Sequence, residues 1–321
     1  VARRDLDAVI IATPDHWHAM PTIAAAQSGK DIYCEKPLCQ SINEAQAMVA
    51  AVNNNRRIFQ TGSMQRSMRE FRRAAELARN GVLGKITRID VAVGGPPIWC
   101  DLPTEADEAG LDWNLWLCPS PWRPYNSVLS PRGTHDHFPD WRKYREYGGG
   151  AVTDWGAHHF DIAQWVLGMD DSGPVEILPA KDLFATHGVR LRYANGTEVV
   201  HTPGNGVTIH GTEGKVYVNR GRFTPEPESL EEFRLGQGTI RLYSSSDHIG
   251  DWLNSIRTRV QPICPVEVGA HTVTVCHLVN LAYFHHQRML WDPFHWGFVD
   301  DSGSPDWLNV PFKYRSPWTL K

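Results

Sequence analysis

Residues 7–14, Asp7-Ala8-Val9-Ile10-Ile11-Ala12-Thr13-Pro14, form a short apolar run closed by a turn signal. Such a run suits a strand buried on both faces, as in a parallel sheet. Working outward, an alanine-rich stretch at 17–28 stops at Gly29 and reads as a helix. Asp31-Ile32-Tyr33-Cys34 is a second strand, closed by Glu35-Lys36-Pro37. Ser41 and Glu44 have capping-box spacing and open a helix to about residue 53. Arg57-Ile58-Phe59-Gln60-Thr61 is a third strand. Strand, helix, strand, helix, strand is the signature of a doubly wound α/β sheet with right-handed crossovers. Residues 1–65 supply one such half.

A second unit, 66–321, has a different rhythm. A helix at 67–80 ends at Gly81, and 85–94 alternates as a strand. The stretch 95–147 is irregular and rich in Pro, Trp, Arg and His, and a loop of that length is usually functional. Gly148-Gly149-Gly150 leads into a helix at 151–167. Alternating runs follow at 175–178, 189–193, 198–201, 207–210 and 215–218, with Asn195-Gly196 as a hairpin turn. Helices are predicted at 247–259 and 268–287, and the tail 291–321 shows no periodicity. The fold class is therefore α/β: a partial, second-half Rossmann-type parallel sheet, then an α+β domain with a large, mainly antiparallel open sheet.

Composition excludes several functions. Lys+Arg total 32 against 36 Asp+Glu, a net charge of −4, without the basic face of a nucleic-acid binder. No apolar run approaches the ~18 residues of a membrane span. Residues 1–10 read as the approach to a strand rather than a signal peptide, and the compartment stays open. The six cysteines form no C-x-x-C pair and no Cys/His spacing fits zinc, so no metal site is expected. Seven of the 13 tryptophans fall between Trp99 and Trp165, as core residues or as platforms for a sugar or planar ligand.

Lys36 follows a buried strand, and ligands of doubly wound sheets bind at strand carboxyl ends. A partly desolvated lysine there can hold a substrate hydroxyl. Asp154 and His158 have i,i+4 spacing, which predicts one helix face, so that both approach the same ligand atom or the carboxylate orients an imidazole acid/base. Asp161 falls near that face. His16 and His18 do not converge on a metal, nor do His135 and His137. His271, His277, His285 and His286 of the last helix do not share one face and read as a polar edge or subunit contact. The glycine turn that cradles a dinucleotide pyrophosphate lies in the first half of a complete sheet. Its nearest candidate, Gly204-Asn205-Gly206, lacks the strand–turn–helix context and reads as a β-turn.

Taken in order, D-A-V-I-I-A-T-P-D-H-W-H from Asp7, Y-C-E-K-P-L from Tyr33, I-F-Q-T-G-S-M-Q-R-S from Ile58 and G-G-G-A-V-T-D-W-G-A-H-H-F-D from Gly148 resemble the glucose–fructose oxidoreductase/inositol dehydrogenase (Gfo/Idh/MocA) family. The resemblance covers essentially the whole chain. It implies an NAD or NADP cofactor and oxidation of a CH–OH group of a sugar, glycoside or cyclitol. It implies catalytic roles for Lys36, Asp154 and His158. Thr13, Pro14, Trp17, His18, Glu35, Lys36 and Gln65 then fall on the cofactor side, and Arg66, Trp141, Arg142 and His159 on the substrate side. It further implies a homo-oligomer built through the C-terminal sheet, with a small sugar or polyol as partner. The chain starts at Val1 and enters a strand by Ala8 without the family's first Rossmann half, so a preceding segment is expected. Two alternatives share these residues: glycoside cleavage through transient oxidation and elimination, and a non-catalytic sugar-binding or oligomerisation protein.

Overall fold

The computed structural model describes residues 3–320. Strand β1 (Ala8–Ile11), helix α1 (Ala19–Gln27), β2 (Asp31–Cys34), α2 (Ile42–Asn54) and β3 (Phe59–Thr61) form the first unit. Its three strands are parallel and ordered β1-β2-β3. β2 lies in the middle and is wholly buried. β1 was expected to be buried on both faces, but among the described residues it pairs only with β2, and Ile10 is 60% exposed. The predicted helix at 17–28 starts later, after a 3-10 turn at Asp15–Trp17. At the start of α2 the Glu44 amide donates to Ser41 Oγ (3.2 Å), and Glu44 Oε2 accepts from the Gln40 amide (2.7 Å). This satisfies donors that a helix start otherwise leaves open.

The second unit comprises α3 (Arg69–Arg79), β4 (Ile86–Ala92), α4 (Trp113–Leu117), α5 (Gly150–Asp154) and α6 (Gly156–Leu167). Strands β5 (Glu176–Leu178), β6 (Arg190–Arg192), β7 (Glu198–Thr202), β8 (Gly206–Gly211), β9 (Lys215–Asn219) and β10 (Arg222–Glu226) follow. Helices α7 (His248–Thr258) and α8 (Val266–His285) and strands β11 (Met289–Asp292) and β12 (Gly297–Phe298) complete it. The nine strands run in the order β10-β9-β8-β4-β7-β6-β5-β11-β12. Within this sheet, among the described residues, only β4 and β7 pair in parallel. Gly204 and Gly206, both at positive φ, turn the chain from β7 to β8 across the end of β4, which lies between them.

The inner face of this sheet, with Ile89, Val91, Val199 and Ile209, packs on α3, α6 and α8 in one large core. α8 serves both units. Its first turns (Val266, Ala270, Val273) join the core of the small sheet, and Val275, Leu278 and Val279 join that of the large one. The irregular stretch 95–147 has a core of its own, in which Trp113, Leu117, Tyr125, Leu129, Trp141, Tyr144 and Tyr147 pack together. Much of the aromatic content there is thus structural. Among the described residues no helix is long and apolar enough to cross a membrane.

Candidate active site

A cavity of about 660 Å³ opens at the carboxyl ends of the small sheet and is closed on the far side by the 138–143 segment and the α5–α6 region. Lys36 enters it directly after β2. Its Nζ donates to Asp154 Oδ1 (2.7 Å) and to the Asp154 carbonyl (2.9 Å). Arg142 Nε stands 3.7 Å from the same Oδ1. The Asp154 carboxylate is therefore turned to two cations rather than to the imidazole of His158, so that of the two arrangements the spacing allows, orientation of the ring by the carboxylate is absent while both residues do line one cavity. The reason is local: α5 ends at Asp154 and α6 begins at Gly156, so the two residues do not share one regular helix face. Gly150 makes this entry possible. It sits at φ +68, and a Cβ there would come within 2.5 Å of Pro97 N.

His158 lines the cavity and is 4% exposed, and its Nδ1 has no hydrogen-bond partner. Burial, and then the positive charges of Lys36 and Arg220, hold its pKa well below the ordinary imidazole value. The ring is thus neutral at pH 7 and able to accept a proton. Asp15, in the 3-10 turn that follows β1, is a further functional candidate that was not singled out in the sequence. It is buried and lines the cavity. Burial and the nearby Asp154 charge push its pKa well above the usual carboxylate range. Its signal was positional: an acid at the carboxyl end of a parallel strand. Trp155 and Arg220 line the cavity too and were likewise not singled out.

Of the residues placed on the cofactor side, Thr13, His18, Glu35 and Lys36 line the cavity. His18 bridges the two strand ends, with Nε2 2.8 Å from Thr13 O and Nδ1 2.8 Å from Pro37 O. Gly62 packs closely on Glu35: a Cβ on it would meet Glu35 Oε2 at 2.6 Å and Glu35 Cα at 3.1 Å, so a larger residue would displace the Glu35 carboxylate. Pro14 precedes the 3-10 turn and does not line the cavity. Trp17 lies outside, with Nε1 donating to the carbonyls of Leu115 (3.1 Å) and Trp116 (3.2 Å). Gln65 is fully buried outside the cavity, and neither of its amide atoms has a partner.

On the substrate side, Trp141 and Arg142 line the cavity, and the Arg142 guanidinium lies 4.2 Å over the Trp141 ring. Arg66 does not reach it. It is buried, donates to both oxygens of Asp161 (2.8 Å each) and to Asp170 (2.7 Å), and so ties the unit junction to α6. His159 also points away. Its Nε2 lies 2.7 Å from Asn205 Oδ1 and its ring stacks on Trp155. Among the described residues no cluster of three His, Cys, Asp or Glu side chains could hold a metal ion.

The cavity fits the reactive end of a dinucleotide. It lies at strand carboxyl ends and has a glycine-lined wall and hydrogen-bonding groups. No glycine turn follows β1, so the described residues do not supply a pyrophosphate cradle there.

Residues 99–320 match the oxidoreductase family C-terminal alpha/beta domain, and residues 1–63 match the NAD-binding Rossmann fold of the same family. The chain belongs to the Gfo/Idh/MocA oxidoreductase family. It is 25% identical over 236 residues to 2,7-anhydro-N-acetylneuraminate hydratase of Mediterraneibacter gnavus, which covers 68% of this chain and 52% of that one. It is 28% identical over 244 residues to levoglucosan dehydrogenase of Pseudarthrobacter phenanthrenivorans, covering 67% and 56%. The chain thus spans about half the length of these curated relatives. Its fold is shared by the aldose-aldose oxidoreductase from Caulobacter crescentus complexed with glycerol (TM-score 0.58, 19% identity, 90% and 80% coverage). The WlbA dehydrogenase from Bordetella pertussis, in complex with NADH and UDP-GlcNAcA, is similar to the same degree (TM-score 0.60, 17% identity, 89% and 78% coverage).

Proposed function

We propose that this cavity oxidises a CH–OH group of a sugar, anhydro-sugar or cyclitol, with NAD or NADP as hydride acceptor. The observation that carries the reading is the convergence of Lys36 and His158 on one cavity at the strand ends. Neutral His158 takes the hydroxyl proton. Lys36, held by Asp154, donates a hydrogen bond to the same oxygen and steadies the charge that develops there. Arg142 on Trp141 grips the remainder of the sugar. Thr13, Glu35 and Gly62 would hold the nicotinamide end, and that group, when bound, supplies the hydride acceptance. In this reading residues 1–65 are the cofactor-binding part and 66–321 the substrate and assembly part.

The test is reduction of NAD⁺ or NADP⁺ by this chain with a panel that includes myo-inositol, levoglucosan and aldoses. Product appearance with one substrate class supports the reading, and none with any of them counts against it. The anhydro-sugar hydratase relative favours a second reading, in which oxidation is transient and elimination follows. Reduced cofactor released in step with product supports the first, and product without net reduced cofactor the second.

The outer face of the large sheet carries paired charges, among them Arg88–Asp90–His210 and Arg190–Glu198. Self-association through this face is part of the same proposal. Sedimentation velocity of the wild type and of Asp90→Arg tests it.

A further inference from the structure

A second cavity, about 200 Å³, shares no lining residue with the first. It lies between the start of α2, the outer face of α8 and the tail around Trp307. Residues 277, 280, 281, 284 and 285 of α8 line it with i, i+3, i+4, i+7, i+8 spacing, so two of the histidines of this helix do share a face.

Three observations define what it would bind. Arg145 lines it with its guanidinium 3.6 Å over the Phe284 ring and 4.8 Å over Trp99, and among the described residues no carboxylate lies within ion-pair reach. Its neighbour Glu146 is turned away and accepts from the Cys100 amide. Asn280, 3% exposed, donates through Nδ2 to the Gly149 carbonyl (2.9 Å), while its Oδ1 has no partner. His285 lies flat on Trp307 (3.7 Å, 9°), which gives one wall a planar aromatic surface. The start of α2, at Ser41 and Ile42, adds the positive end of a helix dipole. Asp306 stands exposed at the rim.

An unpaired guanidinium asks for an anion, and a buried amide oxygen without a partner asks for a hydroxyl or other donor. The volume is below the ~300–1,000 Å³ of drug-sized pockets, so the occupant is small. We propose that this cavity binds a small hydroxylated carboxylate, such as a sugar acid, with its carboxylate on Arg145 and a hydroxyl on Asn280. The site is independent of the oxidation chemistry proposed above. It lies directly behind the glycines that lead into α5, so its occupant would touch the backbone that carries Asp154.

The test is calorimetric titration of this chain with D-glucuronate, D-glucose and acetate. Glucuronate is expected to bind at least tenfold more tightly than either the neutral sugar or acetate. Arg145→Met, which keeps the length of the stem, is expected to weaken glucuronate at least tenfold, and Lys36→Met to leave it unchanged. If Arg145→Met does not fold, His285→Ala at the half-exposed aromatic wall is expected to weaken binding at least threefold. Equal binding of glucose, loss of binding in Lys36→Met, indifference to the Arg145 and His285 substitutions, or no binding at all would overturn the proposal.

Discussion

Lys36 Nζ and Asp154 Oδ1 lie 2.7 Å apart, joining the end of β2 to the end of α5 across 118 residues of sequence. The pair couples the small sheet to the α5–α6 region and fixes the ammonium beside His158. Both side chains keep about a fifth of their surface exposed, 20% and 22%, which leaves the ammonium reachable from the cavity.

In the proposed reaction, removing that ammonium removes a donor to the substrate oxygen. Lys36→Met is expected to lower kcat about 10²–10³-fold, the usual loss for one such donor. Asp154→Asn keeps the ammonium but loosens its placement, and a smaller loss is expected. Initial rates, with circular dichroism to confirm folding, check both. A Lys36→Met enzyme at wild-type rates would remove Lys36 from the chemistry.

The charge on Lys36 also depresses the His158 pKa, after burial the largest cause. The acid limb of kcat/KM is therefore expected below pH 6.5, the ordinary imidazole value, since His158 must be neutral to act as base. In the residual activity of Lys36→Met that limb moves up, because a like charge has gone. His158→Gln removes the limb and lowers the rate about 10²–10⁴-fold. A pH–rate profile of the three proteins reads all of this.

Arg66 is expected to matter for stability rather than for substrate. Arg66→Met leaves the fully buried Asp161 without its guanidinium partner, although Thr272 still donates to it. A loss of about 3–5 kcal/mol is expected, as for other broken buried ion pairs. Urea denaturation measures it. An unchanged midpoint with a raised KM would instead return Arg66 to the substrate side.

Four histidines, the buried His16, His159 and His201 and the partly buried His277, have pKa values lowered to about 4 by desolvation. As pH falls through 6.5 the unfolded chain takes up protons that the folded chain refuses, so stability falls from there down to about pH 4. Glu44 works the other way. Burial raises it to about 7, so between pH 7 and its ordinary 4.5 the fold holds a proton that the unfolded chain does not, and acidification stabilises. Asp15, also raised by burial, acts with Glu44, and His158 acts with the other histidines, so the lowered histidines outnumber the raised acids. Thermal melts from pH 7.5 to 4 are expected to show a falling Tm, with a steeper fall in Glu44→Gln. A flat or rising Tm would contradict this.

The alternation of 7–61 was legible because buried parallel strands and capped helices carry local signals, such as Ser41 with Glu44. What local signals cannot carry is what stands beside an element. β1 reads as buried on both faces, yet among the described residues β2 alone pairs with it and Ile10 is exposed. β10 escaped notice because Pro225 and its flanking charges mask the alternation, and β11 was hidden in an aperiodic tail. At the site, position and spacing pointed to Lys36 and His158, and both line the cavity. Arg66 was misplaced because its partners, Asp161 and Asp170, are 95 and 104 residues away. Direct Asp154–His158 contact is absent because a break at Trp155 separates α5 from α6, which the sequence presents as one helix, although both residues line one cavity.

The central claim is that the Lys36–His158 cavity moves hydride between a sugar carbon and a nicotinamide. The most direct measurement is label transfer: this chain is incubated with NAD⁺ or NADP⁺ and carbon-deuterated myo-inositol, levoglucosan or aldoses, and the recovered cofactor is analysed by mass spectrometry and NMR. The account predicts deuterium at C4 of the nicotinamide, on one face, with at least one of these substrates, and its loss in His158→Gln. No deuterium on the cofactor with any of them, or undiminished transfer in His158→Gln, would contradict it.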